Sequence, residues 1–149
     1  MPENSTHTVI DESTPMTTNN LIVRDGSELN VSLSLENVRS AASTWYTHST
    51  RELYKVLGHC YELYFAVESA NHAQRDKYRD AIEAEYKKLG GEQKANKTET
   101  RIVSLVFNFA DIDRRQRSRY ASVLKAGFNS VPQPANASAF TRWLEENGG

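Results

Sequence analysis

The feature that most constrains the fold is a stripe of apolar and small residues between positions 35 and 67. Its members recur at every third or fourth position: Leu35, Val38, Ala42, Trp45, Ser49, Leu53, Val56, Cys60, Leu63 and Val67. This spacing is that of one face of an α-helix, and it also suits the seam of a coiled coil. A second stripe lies on another face and consists of Tyr46, Tyr54, Tyr61 and Phe65. The pattern predicts a helix over residues 35–67 that is covered from two sides, with Ser34 as its N-cap.

A continuous helix over these residues would be about 50 Å long, which exceeds the width of a compact domain of this size. We therefore expect its end to project or to pair with a second copy, and we predict a homodimer with a coiled-coil contact. The alternative is a break within residues 47–50, which are poor helix formers, or at Gly58. We favour a continuous helix with a bend.

The N-terminal part of the chain differs from the rest in composition. Residues 1–20 are rich in Ser, Thr and Asn and have few apolar side chains, which predicts a disordered arm ahead of a single helical domain over residues 21–149. Asp25 and Gly26 stand between two β-prone runs, a pattern typical of a β-hairpin, here over residues 21–33. A flexible arm is the alternative. An isolated hairpin is marginally stable, so this one must lie on the helices or on a partner.

The remaining residues predict further helices, about five in all, in a mostly α fold. The second helix runs from Asn71 to Leu89 and pairs with the first over residues 35–89, before a solvated linker at residues 90–97. A C-terminal helical subdomain over residues 98–147 then contains three helices. Residues 101–109 form a buried helix with Asn96 and Glu99 as a capping box, or else a strand.

The last two helices are delimited by glycine and proline. One begins at residue 111 or 112 and ends at Ala126, because we expect Gly127 to terminate it. Pro132 and Pro134 predict an extended connector after it. The final helix covers residues 137–146, with Phe140, Trp143 and Leu144 on its apolar face.

The charges are distributed unevenly along a chain whose formal net charge is −1. Residues 1–36 contain one basic and six acidic residues, whereas residues 97–149 contain eight basic and five acidic residues. Such asymmetry indicates an anionic partner for the basic end, although ordinary scatter also produces it.

The densest basic segment lies at residues 111–120, where four arginines occupy the first turns of a predicted helix. Arg114 and Arg117 flank its apolar face on one side, and Arg115 and Arg119 flank it on the other. Guanidinium groups in this arrangement can hold the phosphates of a nucleic-acid backbone, with Ser118 or Tyr120 adding contacts. Together with Lys125 the four arginines are our candidate nucleic-acid-binding residues. The alternatives are ion pairs with the acidic middle helix, or an acidic protein partner.

Residues suited to catalysis do not form a known pattern. The four histidines, at positions 7, 48, 59 and 72, have no metal-ligand spacing, and Cys60 falls on the apolar stripe where a core thiol is expected. Glu62 and Glu68 come nearest to an acid/base pair, but we expect them to form ion pairs with Arg or Lys and not to act in catalysis. No phosphate-binding glycine motif is present. We predict a protein that is not an enzyme and that uses no metal or cofactor.

No apolar run approaches the length of a membrane-spanning helix, so we expect a soluble, cytoplasmic protein without membrane contact. The leading hypothesis is a non-enzymatic helical protein that binds macromolecules, as a nucleic-acid-associated regulator. The alternative is a protein-binding inhibitor or adaptor that docks through its acidic arm and hairpin. The candidate partner-binding residues for that role are Leu21, Val23, Leu29, Val31, Tyr46, Tyr54 and Tyr61.

Overall fold

A computed structural model describes residues 21–45, 50–89, 96–110 and 112–147, and these residues form a mostly α-helical fold. A two-stranded antiparallel hairpin, β1 (Arg24–Asp25) and β2 (Glu28–Leu29), precedes six helices. The helices are α1 (Val31–Trp45), α2 (Thr50–Glu68), α3 (His72–Lys87), α4 (Thr98–Val106), α5 (Arg114–Phe128) and α6 (Ala137–Glu146). The predicted fold class is therefore confirmed, and the predicted disordered arm falls on residues that lie outside this description.

The predicted single helix over residues 35–67 is replaced by two helices, α1 and α2, with residues 46–49 outside the described ranges. The two helices pack against each other, which the halves of one straight helix cannot do. The apolar stripe is consequently buried inside this chain, for example at Val38 and Val56. A long projecting end, our reason for predicting a coiled coil, is therefore not a feature of these helices.

The predicted hairpin forms, but its two turn residues are Gly26 and Ser27, because Asp25 pairs with Glu28; Gly26 adopts a φ of 69°. It lies on the helical body: the Leu29 backbone N–H donates to the Tyr78 hydroxyl of α3 at 3.0 Å. Lys77 forms an ion pair with Glu28 beside this contact. The hairpin is thus anchored to α3, as an otherwise marginal two-stranded unit requires.

Helix α1 begins four residues earlier than predicted. Asn30 caps it, because its Oδ1 accepts from the Leu33 N–H at 3.0 Å and its carbonyl accepts from the Ser34 N–H. The Ser34 hydroxyl, predicted to be the cap, instead accepts from the Val23 N–H at 2.8 Å. Ser34 therefore connects the strand segment to α1.

The other helices follow the apolar spacing closely. Asn71 caps α3, and residues 98–106 form a helix and not a strand. The cap of α4 is Lys97, without a side-chain hydrogen bond, so the predicted capping box at Asn96 is wrong. Helix α6 has the predicted bounds. Helix α5 continues through Gly127 to Phe128, so this glycine does not terminate it.

The core is organised around α2, which contacts each of the other five described helices. Its buried residues occupy most of its circumference, as the two apolar stripes predicted. Tyr61 stacks on Phe140 of α6 with ring centroids 4.3 Å apart, and its hydroxyl donates to the Pro134 carbonyl at 2.6 Å. These contacts hold α6 and its preceding connector on α2. Helix α5 packs on both α2 and α4.

Candidate functional site

Helix α5 has the largest net charge of the described helices. Its 15 residues include five basic side chains and no aspartate or glutamate. It begins at Asp113, whose Oδ1 accepts from the Gln116 N–H at 2.8 Å. This N-cap satisfies one free backbone donor and places one carboxylate at the positive end of the helix.

Packing decides which side of α5 faces the solvent. Tyr120, Ala121, Leu124 and Gly127 are buried. Helix α5 contacts α2 and α4, and Gly127 also faces Phe140 of α6. At 100° per residue, the exposed residues of α5 fall within an arc of about 140° on the opposite side. We call this arc the basic face: it comprises Arg114, Arg115, Arg119 and Lys125, with Ser118 and Ser122 between them.

The basic face spans a length suited to a polyanion. From Arg114 to Lys125 the helix advances about 16 Å at 1.5 Å per residue. Asp113, Arg114, Arg115, Ser118 and Arg119 line an open surface depression at its N-terminal end. The cations are thus accessible from solvent along the whole helix.

The cations of the basic face have no protein partner in the described ranges. No ion pair or side-chain hydrogen bond within those ranges involves Arg114, Arg115, Arg119 or Lys125. Two carboxylates of α3 are engaged elsewhere: Glu83 contacts Lys87 and Arg101, and Glu85 contacts Lys88. In the described part of the structure, the acidic middle helix α3 therefore does not neutralise these arginines. Neighbouring like charges without counter-charges favour the binding of an anion.

Arg117 is the exception among the predicted binding residues. It is half-buried, and its Nη1 donates to the Ile112 carbonyl at 3.0 Å. Its side chain also lines a small cavity of about 50 Å³ beside Phe107, Asn108 and Ala110. Arg117 therefore holds the loop before α5 against the helix and is not part of the basic face. Tyr120, proposed to add a contact, is buried, whereas Ser118 is exposed.

Of the seven residues predicted to bind a protein partner, three are buried and three are half-buried. Leu29, Val31 and Tyr61 are buried in the core, and Tyr46 lies outside the described residues. Burial also raises the pKa of Tyr61 to about 12. Leu21, Val23 and Tyr54 are half-buried. The described residues of the hairpin and of the tyrosine stripe thus present little apolar surface to a partner.

Four nucleophilic or titratable side chains of α2 are either buried or engaged in contacts that hold the fold together. Cys60 is fully buried, and burial raises the pKa of its thiol. Burial lowers the pKa of His59 from 6.5 to about 4, so this ring is neutral at pH 7. Glu62 accepts from the Ala137 N–H at 3.1 Å at the start of α6, and Glu68 pairs with Arg79. None of these four groups lines the open depression at the start of α5 or the small cavity beside Arg117.

The exposure of Phe109 was not predicted from the sequence. We assigned it to the buried face of a helix, but α4 ends at Val106 and the Phe109 side chain is 45% exposed. Asn108 and Asp111 on either side of it were a signal for a turn, since these residues favour turns over helix interiors. Phe109 is therefore an exposed aromatic residue in the loop that leads to α5.

Groups of three or more potential metal ligands are not found among the described residues. Nor does any described helix combine the length and the apolar character needed to cross a membrane. No family model matches the chain, and neither a curated protein nor a solved structure matches it.

Proposed function

We propose that this protein binds nucleic acid through the basic face and acts as a non-enzymatic regulator. The observation that supports this proposal is the exposure of four cations on one side of a helix that contains no carboxylate. The net charge of the chain is only −1, so attraction to a polyanion has to be local to this face.

The chemistry of the basic face suits phosphate. Arginine presents a planar fork of donors that matches two phosphate oxygens, and serine hydroxyls add further donors. Phosphate contacts of this kind position a protein on a nucleic-acid backbone without selecting a sequence. A binding role is favoured over catalysis because the candidate catalytic groups of α2 are occupied. His59 and Cys60 are buried, Glu62 accepts from the Ala137 N–H, and Glu68 pairs with Arg79.

The test is a salt titration of binding, measured by fluorescence anisotropy with labelled DNA and RNA. If each of the four cations contacts one phosphate, the slope of log K against log salt should be about −3.6 for duplex DNA and about −2.8 for a single strand. Affinity should then fall about 50- to 150-fold between 50 and 200 mM salt. Changing Arg114, Arg115, Arg119 and Lys125 to alanine should abolish this salt-sensitive binding.

The matched control removes the same charge elsewhere. Arg24, Arg39, Lys97 and Arg142 are exposed on other elements, and their replacement by alanine should leave binding within about twofold, since distant exposed charges are largely screened. Equal loss in both variants, or no binding by the wild-type protein at 50 mM salt, would refute the proposal. Polyglutamate that displaces the oligonucleotide completely at equal charge would point to an acidic protein partner.

A second candidate function is a protein-binding inhibitor or adaptor that uses the acidic N-terminal residues. It is supported by the six acidic residues among positions 1–36, but Leu29 and Val31 are committed to the core. Its test is deletion of residues 1–20 alone, followed by identification of co-purifying proteins with and without the deletion. Retention of every partner would contradict this role. Homodimerisation is a separate proposal, which light scattering tests against the monomer mass of 16.9 kDa.

A further inference from the structure

The four cations of the basic face form two rows along the helix. At about 100° per residue, Arg115 and Arg119 lie on one side of the midline of the exposed arc, and Arg114 and Lys125 lie on the other. The outermost two, Arg114 and Arg119, are about 140° apart, which is about 10 Å across the helix at an outer radius of about 5–6 Å. Positive charge therefore borders the basic face on both sides.

The strip between the two rows carries short, uncharged side chains. Ser118 and Ser122 lie there, and both are exposed. Neither hydroxyl forms a hydrogen bond within the described ranges. All of α5 is described, and none of its exposed residues is aromatic. A ligand can thus approach the helix closely along the midline and contact cations on both sides.

We infer that the ligand of the basic face is double-stranded DNA and that α5 lies in its major groove. This inference rests on the proposed function and adds the class of nucleic acid and the way it is bound. The major groove of B-form DNA is about 12 Å wide and admits an α-helix. Each of its two borders is the phosphate backbone of one strand, so the two rows of cations contact both strands. The hydroxyls of Ser118 and Ser122 then face the edges of the bases, with which serine forms hydrogen bonds.

Other nucleic acids match the basic face less well. Duplex RNA has a deep and narrow major groove that side chains cannot read. Proteins that hold single strands without sequence preference use aromatic side chains on which the bases stack, and the exposed side of α5 has none. We therefore expect duplex DNA to bind more tightly than either of these.

The first test changes the groove of the DNA and leaves its phosphates intact. Two labelled duplexes of about 15 base pairs share one sequence, but in one of them each cytosine carries a glucosylated hydroxymethyl group at C5, which projects into the major groove. Anisotropy at 50 mM salt should show binding to the glucosylated duplex weakened at least about tenfold. Duplex RNA and single-stranded DNA of the same sequence should also bind at least about tenfold more weakly than the plain duplex.

The second test removes one row of cations at a time. Arg114→Ala with Lys125→Ala, and Arg115→Ala with Arg119→Ala, should each reduce the salt slope for duplex DNA by about 1.8, because each pair contacts two phosphates. Equal effects are expected since the rows face different strands.

The third test fills the strip between the rows. Ser118→Leu with Ser122→Leu leaves the charge unchanged but holds the helix away from the groove, so duplex binding should weaken at least about tenfold. The matched control is Ser40→Leu with Ser138→Leu, at exposed serines of α1 and α6, which should leave binding within about twofold.

The outcomes separate this inference from the proposed function. Equal binding of the plain and glucosylated duplexes, or a salt slope carried entirely by one row, overturns insertion into the groove and leaves the basic face as a phosphate-binding surface. Unchanged duplex binding by the folded Ser118→Leu, Ser122→Leu variant does the same. Tighter binding of duplex RNA or of the single strand overturns the assignment of duplex DNA. Failure of the wild-type protein to bind any of these oligonucleotides refutes the proposed function as well.

Discussion

Substitution of Gly127 by alanine should destabilise the protein, although alanine is the better helix former. Gly127 is buried within α5, where a Cβ would overlap Cε1 of Phe140 and would lie 2.8 Å from Cδ1 of the same ring. It would also lie 3.3 Å from Cε1 of Tyr61. The Phe140 ring cannot easily move away, because it is fully buried and stacks on Tyr61.

Two opposing effects determine the magnitude. Replacing glycine by alanine in a helix stabilises the folded state by about 1 kcal/mol. Overpacking a core costs about 1–3 kcal/mol, and overlap with an immobile ring belongs at the upper end of this range. We therefore expect a net loss of about 2 kcal/mol in the free energy of unfolding.

Urea unfolding followed by circular dichroism measures this loss. With an m-value near 2 kcal/mol/M, the midpoint of Gly127→Ala should fall by about 1 M at unchanged m. In a Phe140→Leu background the same substitution should cost much less, since the flexible leucine side chain can avoid the new Cβ. Ser122→Ala, on the exposed side of α5, is the control and should not lower the midpoint. A midpoint at or above the wild-type value for Gly127→Ala, or an equal loss in both backgrounds, would refute the proposed contact.

Three further predictions concern buried polar groups. The folded protein excludes a proton from His59, whose pKa is about 4, that the unfolded chain binds below pH 6.5. The free energy of unfolding should therefore fall by on the order of 3 kcal/mol as the pH decreases from 6.5 to 4. His59→Gln should lack this part of the decrease, whereas His72→Gln, at an exposed position, should keep it. The Cys60 thiol, buried and with a raised pKa, should not react with a disulfide reagent until urea unfolds the chain; rapid reaction of the native protein would contradict its burial. Tyr78→Phe leaves the Leu29 N–H without its acceptor and should cost about 1–3 kcal/mol, so unchanged protection of that amide in hydrogen exchange would show that the contact is unimportant.

Local patterns determined most of the helices. The bounds of α6 and the N-cap of α3 at Asn71 follow from capping residues, prolines and apolar spacing, which act within a few residues of chain. The exposure of Arg115 and Arg119 was also predictable, because neighbouring apolar residues decide which side of a helix is buried. These features needed no knowledge of the partner elements.

The tertiary structure alone decided features that depend on contacts between distant residues. Two packed helices use the same apolar spacing as one long helix, so the period could not distinguish α1 and α2 from a continuous segment. Gly127 was predicted to terminate a helix because glycine commonly does so. Its actual role is to leave room for the ring of Phe140, which is 13 positions further along the chain and could not be foreseen from local sequence. The inward turn of Arg117 and the exposure of Phe109 likewise depend on how the preceding loop folds back on α5. The sequence by itself determined that α5 is basic and helical, because charge and helical periodicity are local properties of the chain. Which of its cations and which nearby aromatic ring face the solvent was decided only by the packing of α5 on α2 and α4, because burial depends on residues far away in the chain.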